Sequence, residues 1–223
     1  MTESIDAPAA GLRGPGSPYP ADAVEMRVLA DGRPLLLRPL GARDAELLQD
    51  FVRALSPRSR YQRFQSGLRE LPPALLRQLL EIDYRGSMAF AAVVFDHGRR
   101  RMVAEARYAP ALEHDGTADF ALAVADDWQH QGLGAMLLAK LVEYAERSGV
   151  SRIHGDVLHD NTGMLRLTRR LGFLPQRHPD GAWLTRVERT LALDPALVAI
   201  VGSGARVDIG DVRALQQSGG RLR

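Results

Sequence analysis

The chain has 223 residues, of which 45% are hydrophobic and 25% are charged, and its formal net charge is +2 at pH 7. This composition is typical of a soluble globular protein with one domain of ordinary size, and no apolar run approaches the length of a membrane-spanning helix. The absence of cysteine excludes disulfides, cysteine-ligated metals and an acyl-cysteine intermediate.

Both ends of the chain are predicted to be flexible tails. Residues 1–25 are rich in Pro, Gly and Ala, carry acidic residues and lack the apolar segment of a signal peptide, so we expect a cytoplasmic protein. Residues 194–223 begin with Asp-Pro, and the hydrophobic periodicity fades along them. One domain is therefore predicted over residues 26–193.

Strand and helix patterns alternate between these tails. Strands are predicted at residues 35–40, 88–95, 102–108, 119–124, 152–158 and 183–193. Helices are predicted at residues 42–55 and 136–147, and in three further segments that begin at Pro57, Pro73 and Thr162. This alternation predicts an α/β (α+β) fold with a mixed central sheet and helices on both faces.

A loop with two glycines joins the strand at residues 119–124 to the helix at residues 136–147. Gly132 and Gly134 lack a Cβ, so an anion can approach the backbone closely there. The N–H groups in the first turn of a helix have no intrahelical partners and carry partial positive charge. The segment therefore predicts a binding site for a phosphorylated ligand.

Three phosphate-binding motifs compete for this loop. A Rossmann fingerprint needs a third glycine where Leu137 stands. A P-loop needs Gly-Lys-Ser/Thr, whereas Lys140 lies inside the predicted helix with no Ser or Thr after it. The sequence from Gln129 to Gly134, QHQGLG, instead resembles the acetyl-CoA loop of the GNAT N-acetyltransferases, Gln/Arg-x-x-Gly-x-Gly/Ala.

Other segments carry the same resemblance. Residues 170–173, RLGF, resemble the segment that closes the GNAT domain after its second helix. Residues 37–40, 55–64 and 82–84 resemble the GNAT domain of the bacterial Pat-like protein lysine acetyltransferases. The resemblance covers residues 26–193 and implies a single GNAT-like domain, whose mostly antiparallel sheet contains a splayed pair of parallel strands.

The resemblance implies acetyl-CoA as the co-substrate. Its pyrophosphate would bind the loop and the helix start, and its pantetheine would lie along the preceding strand. A backbone N–H group near the end of that strand would stabilise the oxyanion. The predicted cofactor-binding residues are Leu122, Val124, Gln129, His130, Gln131, Gly132, Leu133, Gly134, Ala135 and Asn161.

Acetyl transfer also needs a base, because a lysine amine has an unperturbed pKa of about 10.4 and arrives charged. Asp119 is the first candidate, since it stands where Pat-like enzymes carry a catalytic glutamate, with a side chain one bond shorter. Glu105 on the neighbouring strand is the second. Either acid could instead cap a strand or pair with an arginine such as Arg107. Thr168 stands where many GNAT enzymes carry a tyrosine that protonates the leaving thiolate, so a tyrosine acid is not supported.

Three functions are consistent with these patterns. The leading hypothesis is an acetyl-CoA-dependent N-acetyltransferase that acts directly on protein lysines, with an acyl-CoA synthetase as one possible partner. The alternatives are transfer to a small amine and a non-catalytic acyl-CoA-binding sensor. The six histidines show no metal-ligand spacing, so we expect no bound metal and structural roles for residues such as His154. No basic patch is interleaved with aromatic residues, so we expect no nucleic-acid partner. We expect no membrane partner and a monomer or weak dimer.

Overall fold

The computed structural model describes residues 18–29, 31–96, 98–111 and 116–192, and within these ranges eight strands form one sheet. The strands are β1 (Glu25–Val28), β2 (Pro34–Pro39), β3 (Met88–Asp96), β4 (Arg99–Pro110), β5 (Thr117–Val124), β6 (Arg152–Leu158), β7 (Leu174–Arg177) and β8 (Leu184–Thr190). The α-helices are α1 (Ala45–Ala54), α2 (Pro57–Phe64), α3 (Pro73–Leu80), α4 (Leu133–Arg147) and α5 (Thr162–Arg170). Short 3₁₀ turns lie at Ala21–Ala23, Ala42–Asp44 and Asp126–Trp128.

The sheet has the strand order β1-β2-β3-β4-β5-β6-β8-β7. Every neighbouring pair is antiparallel except β5 and β6, which run parallel. These two strands pair only from Thr117 opposite Arg152 to Asp119 opposite His154, and beyond that point they diverge. The predicted fold class is therefore confirmed, including the splayed parallel pair.

The centre of the sheet is buried on both faces. All residues from Met88 to Val94 in β3 are buried, which explains why this strand reads as a continuous apolar run rather than an alternating one. α1 packs on β4, and α4 packs on β3, β4 and β5. α4 buries six side chains along one stripe, as expected for an amphipathic helix: Leu133, Leu137, Leu138, Leu141, Val142 and Ala145. No helix in the described ranges is both long and apolar enough to span a bilayer.

Two strands were not predicted from the sequence, and both lie at an edge of the sheet. β1 and β7 each pair with one neighbour and have four residues. No residue in either strand is fully buried, so neither shows the alternation of apolar and polar residues that marks a half-buried strand. Pro175 in β7 is a further signal against a strand interior.

The predicted tails fall largely outside the described residues. Of residues 1–25, only 18–25 are described, and there the Tyr19 hydroxyl donates a hydrogen bond to the carbonyl of Pro39 at 3.1 Å. The rings of Tyr19 and Tyr84 also meet edge to face, with centroids 5.8 Å apart. The segment 194–223 lies wholly outside the described residues.

The packing between β5 and β6 depends on a glycine. A Cβ at Gly155 would lie 2.7 Å from Cε1 of Phe120 and 3.0 Å from its Cδ1. The Phe120 ring cannot yield easily, because it is buried and packs against Phe173 with centroids 5.1 Å apart. We therefore expect Gly155→Ala to lower the free energy of unfolding by about 1–3 kcal/mol, measured by urea denaturation.

Gly163→Ala is the matched control for this substitution. A Cβ at Gly163, inside α5, would meet only Oδ1 of Asn161 at 3.8 Å. Alanine has the higher helix propensity, so this variant should be as stable as the wild type or up to about 1 kcal/mol more stable. Equal stability of the two variants would refute the packing argument.

Candidate active site

The divergence of β5 from β6 opens a cleft of about 890 Å³. One wall consists of the β5 residues beyond the paired segment, and the other consists of β6 from His154 to Val157. The start of α4, residues of α2 and α5, and the segments 128–130 and 178–180 add to the lining. Backbone groups of β5 that face this opening have no strand to pair with beyond Asp119, so those that no side chain binds are available to a ligand.

The glycine loop forms one end of the cleft. Gly132 precedes α4 with a φ of 84°, and His130 is also left-handed with a φ of 62°. The N–H of Met136 donates to the carbonyl of Gly132 at 3.1 Å, so the earlier N–H groups of this turn have no intrahelical acceptor. A Cβ at Gly132 would meet nothing within 4 Å, which leaves the approach to these N–H groups open. The geometry is that of an anion-binding helix N-terminus.

Gln129 holds this loop in place. Its Nε2 donates to the carbonyl of Val124 at 3.2 Å and lies 3.3 Å from Oγ of Ser59. Asp126 adds a second tie to α2, because its carboxylate accepts hydrogen bonds from the hydroxyls of Ser56 and Ser59 at 2.7 and 2.8 Å. The loop is thereby fixed to the end of β5 and to the first turn of α2.

Nine of the ten predicted cofactor-binding residues line the cleft: Leu122, Val124, Gln129, His130, Gly132, Leu133, Gly134, Ala135 and Asn161. Gln131 is not among the lining residues, and its side chain turns back to donate to the carbonyl of Asp127 at 3.1 Å. Asn161 is the N-cap of α5, where its Oδ1 accepts from the N–H of Met164 at 3.1 Å. This bond fixes the asparagine side chain at the wall of the cleft.

Asp119 lies at the point where β5 and β6 separate. Its side chain is 57% exposed, lines the cleft and has Oδ1 2.9 Å from Nδ1 of His154. The sequence did not suggest this neighbour, because the parallel register that sets Asp119 opposite His154 has no local signature. The cleft therefore has an exposed carboxylate at its apex.

Glu105, the second predicted base, lies in a different environment. Its side chain is only 2% exposed, does not line the cleft and accepts a hydrogen bond from Nε of Arg107. NH2 of Arg63 approaches its other oxygen at 3.4 Å. Burial opposes ionisation of this carboxyl, but the two guanidinium groups outweigh it and hold the pKa of Glu105 below its usual value. This arrangement favours the ion-pair role that the sequence left open for the residue.

The Thr168 hydroxyl is hydrogen-bonded within its own helix, α5. The residue is 1% exposed, and its hydroxyl lies 3.1 Å from the carbonyl of Met164 and 3.2 Å from that of Leu165. A threonine hydroxyl held in this way is not a proton donor to the cleft.

Trp128, just before the loop, is buried beneath the guanidinium of Arg33, which lies 4.1 Å from the ring centroid.

A second polar cluster on the cleft wall was not predicted from the sequence. Asp156 in β6 accepts two hydrogen bonds from Arg186 of β8, at 2.9 and 3.2 Å. Nε2 of His178 lies 3.0 Å from Oδ2 of the same carboxylate. Burial opposes ionisation of Asp156, but these two partners lower the pKa of its carboxyl.

The described residues contain no group of three or more His, Asp or Glu side chains suited to a metal ion.

Comparison with known proteins gives a consistent result. The model of the Acetyltransferase (GNAT) family matches residues 50–173. Acetyltransferase PA5475 of Pseudomonas aeruginosa is 42% identical over 165 residues, which are 74% of this chain and 87% of that protein. Acetyltransferase Pat of Mycolicibacterium smegmatis is 31% identical over 174 residues, which are 76% of this chain and 51% of that protein. This chain therefore spans about half the length of the mycobacterial relative.

The solved structures agree with the sequences. The crystal structure of the GNAT domain of S. lividans PAT matches with a TM-score of 0.70 and 27% identity, covering 78% of this chain and 100% of that domain. The family model covers more than half of the chain, and the glycine loop and the splayed strands occupy the matched region. The protein therefore belongs to the GNAT family and is an N-acetyltransferase.

Proposed function

We propose that the protein transfers the acetyl group of acetyl-CoA directly to the side-chain amine of lysine residues in other proteins. The observation that carries this proposal is the V-shaped cleft, which has an anion-binding helix start at one end and an exposed carboxylate, Asp119, at its apex. Direct transfer fits a chain without cysteine, because no acyl-cysteine intermediate can form.

The cofactor would occupy the opening between β5 and β6. The N–H groups at the start of α4 would bind the pyrophosphate, and the backbone of β5 from Leu122 to Val124, which has no partner strand on the side of the cleft, would bind the pantetheine amides. A β5 N–H group near Val124 would stabilise the oxyanion that forms when the amine attacks the thioester carbon. Asp119 would accept the proton of the incoming ammonium.

The position of α2 supports a protein acceptor. Residues 55–64, which resemble the protein-acetylating branch of the family, contain α2, and Ser59, Gln62 and Arg63 line the cleft. Asp126 ties this helix to the cofactor loop through Ser56 and Ser59. A lysine side chain is long and unbranched, so it can reach a site that lies behind the wall that α2 forms.

Acetyl-CoA binding and acceptor turnover test the proposal together. Calorimetry with acetyl-CoA is followed by CoA-release assays on a panel of acyl-CoA synthetases and small amines, with mass spectrometry to locate acetyl-lysine. Turnover on a protein supports the proposal, whereas turnover only on small amines moves the acceptor to that class. Binding without turnover on any acceptor favours the sensor hypothesis, and absence of binding refutes the cofactor site.

Gly132 offers a sharper test of the loop. With a φ of 84°, alanine at this position is strained by about 1–2 kcal/mol, and its Cβ would project into the space that the pyrophosphate needs. We expect Gly132→Ala to raise the Kd for acetyl-CoA by about tenfold or more, measured by calorimetry.

Gly149, just after α4, provides the matched control. It has a φ of 80°, a Cβ there would also meet nothing within 4 Å, and it does not line the cleft. Gly149→Ala should therefore lose a similar amount of stability and keep the wild-type Kd. Equal affinity of the two variants for acetyl-CoA would argue against the loop as the pyrophosphate site.

A further inference from the structure

The apex of the cleft holds an acid and a histidine rather than an acid alone. Asp119 and His154 occupy the last paired position of the parallel strands, so their side chains are direct neighbours. Oδ1 of Asp119 lies 2.9 Å from Nδ1 of His154. The two side chains differ in exposure, because that of Asp119 is 57% exposed and that of His154 is 9% exposed. Both residues line the cleft, and the carboxylate is the more exposed group of the two.

Nδ1 of His154 is a buried polar atom that needs a partner. It has almost no accessible surface, and among the described residues it has no well-aligned hydrogen bond. Buried polar atoms are nearly always paired in native proteins, and the Asp119 carboxylate stands within bonding distance. When the resting imidazole carries its proton on Nε2, Nδ1 is an acceptor, and a proton taken up by Asp119 would complete the hydrogen bond between them.

Other charges surround His154 but are already paired with one another. Glu188 of β8 lies opposite His154 in the antiparallel register and approaches Arg152 of β6 at 3.7 Å. Asp156, two residues further along β6, is bound by Arg186 of β8 and faces His178. Asp156 also lines the cleft, but its carboxylate is bound by Arg186, whereas that of Asp119 lies 2.9 Å from the imidazole.

We propose that His154 is the final proton acceptor of the transferase and acts through Asp119. This inference rests on the proposed acetyl transfer and adds a residue to its mechanism. An N–H bond of the acceptor ammonium breaks, and its proton passes to the Asp119 carboxylate. The same proton then forms an N–H bond with Nδ1 of His154, which leaves a carboxylate–imidazolium pair and a neutral amine.

The relay has a driving force that Asp119 alone lacks. An imidazole binds a proton more tightly than a carboxylate does in model compounds. The neutral amine attacks the thioester carbon, the C–S bond breaks, and the amide nitrogen loses its second proton. One proton ends on the released thiol and the other reaches solvent, so charge and atoms balance.

The substitution His154→Asn separates proton acceptance from simple packing. The amide oxygen of asparagine can lie near the place of Nδ1 and accept a hydrogen bond from Asp119, but it cannot take up the proton. We expect His154→Asn to retain acetyl-CoA binding while kcat falls by about 10–100-fold. The acidic limb of kcat/KM against pH should move to lower pH, because the Asp119 carboxylate would then be the final proton acceptor.

His159→Asn is the control. His159 is exposed and directly follows β6, so this variant should keep the wild-type profile.

NMR of the imidazole provides a readout that does not depend on turnover. The nitrogen signals of the His154 imidazole, assigned by their loss in His154→Asn, should move in Asp119→Asn, because an amide then replaces the carboxylate beside Nδ1. A wild-type rate and pH profile in His154→Asn, or unmoved imidazole signals in Asp119→Asn, would overturn the inference. If no acceptor were acetylated at all, the proposed function would fail, while the imidazole signals would still decide whether the two side chains interact.

Discussion

Replacing Asp119 with asparagine should lower kcat by about 10²–10⁴-fold at neutral pH while the Kd for acetyl-CoA stays within about twofold of the wild type. The carboxylate lies at the apex of the cleft, away from the glycine loop that would bind the pyrophosphate. The substitution preserves size and removes the ability to accept a proton. Steady-state CoA release and calorimetry on the same preparation measure the two effects.

The deficit of Asp119→Asn should depend on pH in a defined direction. Below the pKa of the acceptor, about 10.4 for a free lysine, the neutral amine becomes tenfold more abundant with each pH unit. The variant must rely on this neutral fraction, so its rate should rise with pH and the gap to the wild type should narrow. A gap that stays constant up to pH 10 would point to a structural role for Asp119.

Asp50→Asn is the control for this experiment. Asp50 lies in α1, its side chain is 77% exposed and it does not line the cleft. The same chemical change there should leave kcat and its pH dependence unaltered. A loss of turnover in both variants would mean that the assay reports stability rather than chemistry.

Replacing Glu105 with glutamine should lower the free energy of unfolding by about 3–5 kcal/mol, the largest stability effect we expect for a single substitution. The Glu105 carboxylate compensates two largely buried cations, Arg63 and Arg107, whose side chains are 9% and 13% exposed. Removing its charge leaves both guanidinium groups without a counterion. Urea denaturation monitored by tryptophan fluorescence measures the change.

Two companion variants make the prediction specific. Glu143→Gln, on the exposed side of α4, should be as stable as the wild type. The triple variant Arg63→Met, Glu105→Leu, Arg107→Met should recover most of the loss, because apolar side chains of similar size remove the unpaired charges together.

One result would support Glu105 as a catalytic base. In it, Glu105→Gln would be as stable as the wild type but would lose turnover, and the acidic limb of its pH profile would be displaced. The depressed pKa of this carboxyl argues against that result, because a group that holds its proton so weakly is a poor base at neutral pH.

The sequence was most informative where a feature depends on neighbours along the chain. The glycine loop before α4 could be recognised because a left-handed glycine and an open helix start are properties of consecutive residues. The amphipathic helices and the central strands likewise have periodic patterns that are set by local backbone geometry. The family and the fold class that followed from these patterns are confirmed, whereas the roles of the individual site residues stay predictions.

The tertiary structure alone decided which distant residues meet. The pairing of Asp119 with His154 depends on a parallel register between strands separated by α4, and no local pattern encodes that register. The environment of Glu105 depends on Arg63, which comes from α2 and is 42 residues away in the sequence. In the sequence, Asp119 and Glu105 are therefore hard to tell apart. In the structure, Glu105 is buried between two arginines, whereas Asp119 is exposed to the cleft. Patterns of neighbouring residues along the chain were enough to predict a GNAT acetyltransferase, and long-range packing determined which of the two acids is buried between arginines and which lines the cleft.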